Sequence, residues 1–330
     1  MEASGRQIKR RSANRSKLKS AGTILEEKEN EAKENKSKYG PMPTFQYQRV
    51  FTRGILIVGV LTVVYFGTKD GREFALAKQK EVIHHRAQDI MCSDDYRAEL
   101  EAFYGCIPKR CGRVVSDKLV SGTEADALLS IAKRGMALGG SEGGATILDL
   151  HSGALSHGRN FVNIYHLNGA KDVFKKTDIT FYKVVKTKIQ NAVAHHFGVQ
   201  PHLLYLTHPT FFSRLNAAPA LTAHDEYWHP HVDKETYDSF HYTSLLYLTD
   251  YGHDFHGGRF IFVDGDNTNR TVEPRKGRVS MFTSGSENLH YVEKVSSGTR
   301  YALTVSFTCD QKHAIDDPML LSSVSKEQKQ

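Results

Sequence analysis

Apolar residues recur at helical spacing in two segments of the chain. The first begins after Thr123, which can cap a helix, and ends before Gly139. Its apolar stripe consists of Ala125, Leu128, Leu129, Ala132 and Met136. The second predicted helix covers about 180–197 and is followed by Gly198. Its stripe consists of Tyr182, Val185, Ile189, Val193 and Phe197. The glycine-rich segment 139–144 between them predicts a flexible connection.

After residue 200 the pattern changes to short β-branched and aromatic runs separated by Gly, Pro, Asp and Asn, which is typical of strands. The predicted strands are Leu203–Thr207, Thr210–Leu215, Tyr227–Asp233, Tyr242–Leu248, Arg259–Val263, Thr271–Glu273, Arg278–Phe282, His290–Val295 and Tyr301–Phe307. Many short strands after helices indicate an α+β protein, with a β-sandwich or barrel covered by helices on one side.

The most apolar run of the chain is Gly54–Gly67, which carries no charge. These residues fall short of the roughly 20 that a helix needs to cross a bilayer. Val50 and Phe51 lengthen the run if Arg53 extends toward the headgroups. A buried core segment is the alternative. Because polar sequence flanks the run on both sides, we expect a single membrane-spanning signal anchor at 50–67.

The basic excess of the chain lies at its N-terminus. Residues 1–53 hold 13 Lys and Arg against 6 Asp and Glu, whereas residues 91–330 hold 26 against 27. A basic nucleic-acid-binding face is therefore not indicated. Residues 1–49 have too few large apolar groups to fold alone, so we expect a disordered tail. Its basic cluster from Arg6 to Lys19 favours a cytoplasmic tail and a type II protein whose C-terminal part lies in the ER or Golgi lumen.

The segment 68–122 is predicted to be a stem, helical over Thr68–Met91. Its cysteines lack the spacing of a zinc site, so disulfides are expected in an oxidising compartment, with free thiols as the alternative. The four cysteines are Cys92, Cys106, Cys111 and Cys309, and three pairings are open. Asn269-Arg270-Thr271 is a glycosylation acceptor sequence predicted to lie in a polar loop, and Asn14 and Asn35 match the same pattern.

The candidate chemistry centres on His231 and Asp233. Residues at i and i+2 of a strand project to one face, so both could reach one ion. With His290 from another strand they would form the two-histidine, one-carboxylate triad that holds non-haem Fe(II) and leaves positions open. Arg300 could then pair through its planar fork with the carboxylate of a cosubstrate. His224 and His229 are alternative ligands, although a structural role suits them better, and Trp228 could wall the pocket or simply pack.

The order of blocks across the strands resembles the prolyl-4-hydroxylase-like branch of the 2-oxoglutarate and Fe(II)-dependent dioxygenases. The blocks are His231-x-Asp233, TSLLYL (243–248), GGRFIF (257–262), VEPRKGRVSMF (272–282), and His290 with Arg300. The resemblance covers roughly residues 200–309. Two positions depart from the family pattern: Arg259-Phe260 replaces Glu-Thr after two glycines, and Ser306 stands where many members have Trp.

This resemblance implies a double-stranded β-helix, or jelly-roll, in which His231, Asp233 and His290 bind Fe(II) and Arg300 binds the distal carboxylate of 2-oxoglutarate. By block position, Tyr247 and Thr304 would hydrogen-bond the same carboxylate. The implied enzyme is an oxidoreductase that uses Fe(II), 2-oxoglutarate, O2 and ascorbate. We expect it to hydroxylate a protein side chain in the secretory pathway, with release of succinate and CO2.

The alternative function is a non-catalytic metal-containing β-barrel tethered to the membrane as a binding module or receptor. The predicted boundaries after the anchor and stem are a helical support region at 123–200, a β-core at 201–312 and a polar tail at 313–330. The sequence does not specify the substrate, the hydroxylated residue or the oligomeric state.

Overall fold

The computed structural model describes residues 47–69, 72–167 and 173–318. The chain divides after Lys69 into two compact units, which are described separately. The predicted tail at 1–49 lies outside the described residues except at its end, and so does most of the predicted C-terminal tail. The acceptor sequences at Asn14 and Asn35 also lie outside them.

The first unit contains helix α1, Gln48–Lys69, which carries the apolar run. Its apolar side chains are exposed, for example Leu56 and Val63. Among the residues that the structure describes, no helix combines the length and apolarity required to cross a membrane. A helix is thus present at Gln48–Lys69, where the anchor was predicted.

The second unit contains four further helices and sixteen strands within its described residues. The helices are α2 Asp94–Leu100, α3 Gly122–Met136, α4 Lys176–Phe197 and α5 Asp233–Thr236. The first nine strands are β1 Glu73–Ala77, β2 Arg86–Ile90, β3 Cys111–Ser116, β4 Gly140–Ser141, β5 Ala145–Leu148, β6 Ala154–Gly158, β7 Asn160–Asn163, β8 Tyr205–Leu206 and β9 Phe211–Asn216. The others are β10 Tyr242–Tyr247, β11 Phe255–Gly257, β12 Phe260–Val263, β13 Asn269–Val272, β14 Val279–Thr283, β15 His290–Val292 and β16 Val295–Thr308.

The strands form two sheets. The larger one, mostly antiparallel, has the order β2-β3-β14-β10-β16-β9-β5-β6-β4, with β7, β8 and β11 paired at its sides. The smaller one has the order β1-β13-β12-β15. Phe260 and Phe262 of the smaller sheet pack against Tyr247 and Phe282 of the larger one. The two sheets therefore face each other, an arrangement consistent with a double-stranded β-helix.

Alternation along the strands gives the larger sheet two different faces. Leu246 of β10 and Leu303 of β16 point toward the buried faces of α3 and α4 and belong to the main core. Their neighbours Leu245 and Ala302 point the other way, toward the smaller sheet. This period of two separates a helix-covered core from the space between the sheets, where a site can form.

Both predicted long helices are present. Helix α3 is capped by Ser121 rather than Thr123, because Ser121 and Glu124 exchange hydrogen bonds in a capping box. Helix α4 begins at Lys176, a few residues before the predicted start, and ends at Gly198 with φ of 71°. Glycine suits this left-handed cap because it has no Cβ.

The prediction of a helical stem over Thr68–Met91 is wrong. Strand β1 pairs with β13 and strand β2 with β3, so this segment contributes strands to both sheets. The acceptor sequence at Asn269 also lies in a strand rather than the predicted loop. Its Thr271 hydroxyl is buried and donates to Glu73 Oε1 at 3.0 Å.

The expected disulfides are present. Cys92 pairs with Cys111 and Cys106 with Cys309, so all four cysteines are bonded. The second bond joins the loop after α2 to the residue that follows β16. The first bond therefore closes the 92–111 segment at the start of β3, and the second attaches the interior of this segment to the main sheet.

The glycine-rich segment 139–144 packs against the loop that carries Asp225 and is not a flexible connection. Its Gly143 lies against the carboxylate of Asp225, which is fully buried. Asp225 accepts hydrogen bonds from Ala145 N–H and from the Thr222 N–H and hydroxyl. This contact holds the loop before His231 onto the edge of the larger sheet.

We predict that Gly143→Ala destabilises the protein. An added Cβ would lie 2.2 Å from Asp225 Oδ2, closer than unstrained packing allows. Overpacking of this kind costs about 1–3 kcal/mol. The free energy of unfolding from a denaturant titration measures the effect. Gly122→Ala is the control, because nothing lies within 4 Å of its added Cβ. Equal stability of the two variants would contradict the prediction.

Candidate metal centre

His231 and His290 are held side by side by their own backbones. They form an antiparallel bridge in which His231 N–H donates to His290 O at 2.9 Å and His290 N–H donates to His231 O at 3.1 Å. Their ring centroids are 4.5 Å apart. Two distant parts of the sequence thus bring their imidazoles to one point.

Asp233 completes the cluster from the start of a helix rather than from the predicted strand. The extended chain ends at Val232, which caps α5, and Asp233 is the first residue of that helix. Its Oδ1 lies 3.6 Å from His231 Nε2 and 3.5 Å from His290 Nε2. All three ligand atoms lie within 4.8 Å of one another. The predicted Tyr227–Asp233 strand is wrong, but the predicted convergence of the three side chains is confirmed.

Each imidazole is fixed in one tautomer by a backbone carbonyl. His231 Nδ1 contacts His229 O at 3.0 Å, and His290 Nδ1 contacts Asn288 O at 2.8 Å. A carbonyl only accepts hydrogen bonds, so both Nδ1 atoms carry the proton. The two Nε2 lone pairs are left facing Asp233, which is the arrangement a metal ion requires.

The Asp233 carboxylate is buried and oriented by Thr243. The Thr243 hydroxyl donates to Asp233 Oδ2 at 2.6 Å, and Ser284 Oγ lies 2.9 Å from the same hydroxyl. Burial raises the pKa of Asp233, but His290, Thr243 and His231 outweigh burial and leave the pKa below its usual value. Asp233 therefore remains an anion that can bind a cation. Sequence reasoning missed Thr243, although its place in the TSLLYL block was noted.

The two histidines differ in exposure. His290 is buried among Phe260, Phe262 and Phe282, whose ring centroids lie 5.1, 6.1 and 4.9 Å from its own. The side chain of His231 is 41% exposed. Burial and the neighbouring His290 both lower the pKa of His231, which keeps its imidazole neutral and able to coordinate a metal. The cluster is thus closed on one side and open on the other.

The open side faces a cavity of about 750 Å³ between the two sheets. Its wall includes the three candidate ligands together with Arg300 and Thr304. The residues fit Fe(II), because two imidazole nitrogens and one carboxylate are the protein ligands of facial-triad iron sites. A cavity on the open side leaves room for further ligands.

Arg300 is a buried cation with no acidic partner in the part of the chain that the structure describes. Its Nε donates to Gly258 O at 2.9 Å, while its Nη2 is buried and has no hydrogen-bond partner among the described residues. Two other fully buried arginines are neutralised, Arg113 by Asp264 and Arg278 by Asp117. An unpaired buried charge is costly, so the geometry calls for an anion in the cavity.

The two other predicted cosubstrate residues lie in different surroundings. Thr304 lines the cavity. Tyr247 is fully buried, with its hydroxyl 3.1 Å from Ser280 Oγ and its ring centroid 5.5 Å from Arg300 Cζ. Burial raises the pKa of Tyr247 to about 12. It packs beside Arg300 and does not belong to the cavity wall.

The side chains of the alternative ligands lie outside the three-residue cluster. His229 Nε2 pairs with Glu226 at 3.1 Å, and His224 packs edge-on against Phe161. Trp228 packs under Lys294, whose Nζ is 3.8 Å from its ring centroid. None of the three joins the candidate metal ligands.

The two departures from the family pattern have local explanations. Arg259 pairs with Glu293 and Glu73 at 2.6 Å each. Ser306 is buried and donates to Pro209 O at 3.0 Å. Neither side chain contacts the three candidate ligands.

Residues 215–308 match the family described as the 2OG-Fe(II) oxygenase superfamily. The chain is 55% identical over 253 residues to the 2-oxoglutarate and iron-dependent oxygenase domain-containing protein 3 of Xenopus tropicalis, covering 76% of this chain and 79% of that protein. It is 52% identical over 267 residues to the Homo sapiens protein of the same name, covering 80% and 83%. The chain belongs to this family. It is a 2-oxoglutarate-dependent dioxygenase that uses Fe(II), 2-oxoglutarate and O2, as the blocks of the sequence predicted.

More distant relatives share shorter or weaker similarity. Prolyl 3-hydroxylase 2 of Homo sapiens is 42% identical over 71 residues, which cover 21% of this chain and 10% of that protein. An oxidoreductase of the 2OG-Fe(II) oxygenase family from Burkholderia pseudomallei has a TM-score of 0.41 and 14% identity, over 72% of this chain and 98% of that chain. Membership of an oxygenase family favours the enzyme over the non-catalytic binding module.

We predict that Thr243→Val weakens metal binding. The substitution keeps the shape of the side chain but removes the hydroxyl that orients Asp233. Loss of such a partner of a metal ligand costs about 10–100-fold in affinity or activity. Titration with Mn(II), which is redox-stable, measures the dissociation constant. Thr243→Ser is the matched control and should bind like the parent. Equal affinity of the Val variant and the parent would refute the role of Thr243.

Proposed function

We propose that His231, Asp233 and His290 hold Fe(II), that Arg300 binds the distal carboxylate of 2-oxoglutarate, and that the enzyme hydroxylates a protein side chain. One observation carries this proposal: a preformed triad and a buried arginine without an acidic partner line the same cavity. When bound, Fe(II) supplies the redox chemistry that couples decarboxylation of 2-oxoglutarate to substrate oxidation, with succinate and CO2 as coproducts.

The protein groups bind and orient the reactants. Arg300 presents a planar fork that suits a carboxylate, and its Nε is already fixed on Gly258, so little freedom is lost when the acid binds. Thr304 offers a hydroxyl from the same wall. Tyr247 remains a predicted third contact. A dicarboxylic acid held at its far end would direct its 2-oxo acid end toward the open side of the triad.

The remaining cavity supports a protein substrate. Its wall includes the aromatic side chains of Phe161, Phe211, Tyr237 and Phe240. Aromatic walls of this kind accept an apolar side chain of a peptide. The short similarity to prolyl 3-hydroxylases, which are named for hydroxylation of proline, agrees with this substrate class.

We also propose that the enzyme acts in the lumen of the ER or Golgi as a type II membrane protein. The two disulfides support an oxidising compartment, because cytosolic proteins rarely keep such bonds. Ascorbate is the reductant expected there, as is typical of prolyl hydroxylases. A glycan at Asn269 remains a prediction, now at a half-buried strand position.

We predict that the protein with Fe(II), ascorbate and 2-oxoglutarate forms succinate, and that His231→Ala and Asp233→Ala abolish this reaction. Each substitution removes one of the three protein ligands that a facial triad needs. Succinate release measured by mass spectrometry is the assay. His253→Ala is the control, since this exposed residue lies outside both the cluster and the cavity wall. Undiminished succinate formation by the triad variants would overturn the proposed function.

We predict that Arg300→Ala weakens 2-oxoglutarate binding by about 2–5 kcal/mol, since a charge partner is removed from a buried pair. The dissociation constant can be measured anaerobically by calorimetry on the Mn(II)-loaded protein. Arg259→Ala is the matched control, because its guanidinium pairs with Glu293 and Glu73 outside the cavity wall. Equal effects of the two substitutions would contradict the assignment of Arg300.

A further inference from the structure

The cavity offers a second aromatic hydroxyl near Arg300 that the family resemblance did not identify. Tyr227 lines the cavity, whereas Tyr247 does not. The side chain of Tyr227 is half-buried and packs with Phe255 and Val295. A molecule in the cavity can therefore contact Tyr227 directly.

The hydroxyl of Tyr227 has a free proton. Its oxygen accepts the N–H of Val295 at 3.0 Å. The described part of the chain supplies no acceptor for the hydroxyl hydrogen, which leaves it available to an anion. The Tyr247 hydroxyl, in contrast, already shares a hydrogen bond with Ser280.

Arg300 and Val295 both lie against Gly258. A Cβ added at Gly258 would be 3.0 Å from both Arg300 Cδ and Val295 Cγ2, and Val295 is the residue that fixes the Tyr227 hydroxyl. The charge of Arg300 also acts on Tyr227. Burial raises the pKa of Tyr227, while Val295 N–H and Arg300 oppose that rise. The hydroxyl thus lies within the electrostatic field of an arginine that lacks a counter-ion.

We infer that Tyr227 donates a hydrogen bond to the distal carboxylate of the dicarboxylic cosubstrate, on the cavity side of Arg300. This inference rests on the proposed function, in which Arg300 binds that carboxylate. Arg300 provides the charge, Tyr227 provides a neutral donor, and Val295 N–H orients the phenol. The same tyrosine is four residues before His231, so cosubstrate binding steadies the segment that carries a metal ligand.

The test compares Tyr227→Phe with Tyr247→Phe in the Mn(II)-loaded protein under anaerobic conditions. The probes are 2-oxoglutarate and 2-oxopentanoate, which has the same carbon chain but no distal carboxylate. Calorimetry gives the dissociation constant of each. We expect Tyr227→Phe to weaken 2-oxoglutarate roughly tenfold, as for a lost hydrogen bond to a charged group. Its affinity for 2-oxopentanoate should stay that of the parent.

The outcomes separate three cases. If the parent does not bind 2-oxoglutarate, the proposed function fails. If the parent binds it and Tyr227→Phe binds it equally well, the inference about Tyr227 is wrong. It is also wrong if Tyr227→Phe weakens both acids equally, because that pattern reports a disturbed metal site. If only Tyr247→Phe selectively weakens the binding of 2-oxoglutarate, Tyr247 rather than Tyr227 donates the hydrogen bond.

Discussion

The metal centre depends on a pair of backbone hydrogen bonds between His231 and His290. This bridge joins a loop residue to the first residue of β15, and it sets the distance between two imidazoles before any ion binds. Asp233 is the first residue of α5, and this turn of the backbone brings its carboxylate close to both imidazole rings. A site built this way is preorganised, because side-chain rotamers, tautomers and backbone positions are fixed by contacts other than those with the metal.

The bridge fixes the distance between the two imidazoles because the strands around it are themselves held by pairing and packing. Strand β15 pairs with β12 in the smaller sheet, and Phe260, Phe262 and Phe282 surround His290 from both sheets. The larger sheet is fixed from behind by α3 and α4, whose apolar stripes pack on the outward residues of β10, β14 and β16. Thr243, Arg300 and Thr304 therefore extend into the cavity from strands that are paired on both edges.

Local sequence patterns predicted the elements whose stability is largely local. The stripes of α3 and α4 follow from periodicity, the strands β10, β12 and β14 follow from β-branched and aromatic runs, and the candidate ligands follow from residue chemistry. Strands β1 and β2 could not be predicted in this way. Strand β1 pairs in parallel with β13, and exposed Glu73 and Phe74 give it no alternating apolar pattern. Such a strand is defined by its distant partner rather than by its own residues.

The dependence on distant partners also explains which site residues could be predicted from the sequence. Histidine, aspartate and arginine have distinctive chemistry, so His231, Asp233, His290 and Arg300 could be proposed from the sequence. Thr243 and Tyr227 could not be assigned roles, because a threonine or tyrosine in a strand-rich region is common and its partner is set by the fold. The Gly143 contact with Asp225 was missed for a similar reason. A glycine that permits close approach looks, in sequence, like a glycine in a flexible linker.

Arg300 differs from Arg278 in the hydrogen-bond partners of its buried guanidinium. Arg278 is equally buried, but Asp117 and three backbone carbonyls satisfy its guanidinium. Arg300 has one carbonyl and an unpaired nitrogen. Leaving a buried cation partly unsatisfied raises the free energy of the ligand-free protein, and an incoming carboxylate removes that cost. In the proposed function, part of the affinity for the cosubstrate would originate in this unfavourable feature of Arg300, which would also discriminate against acids that lack a distal carboxylate.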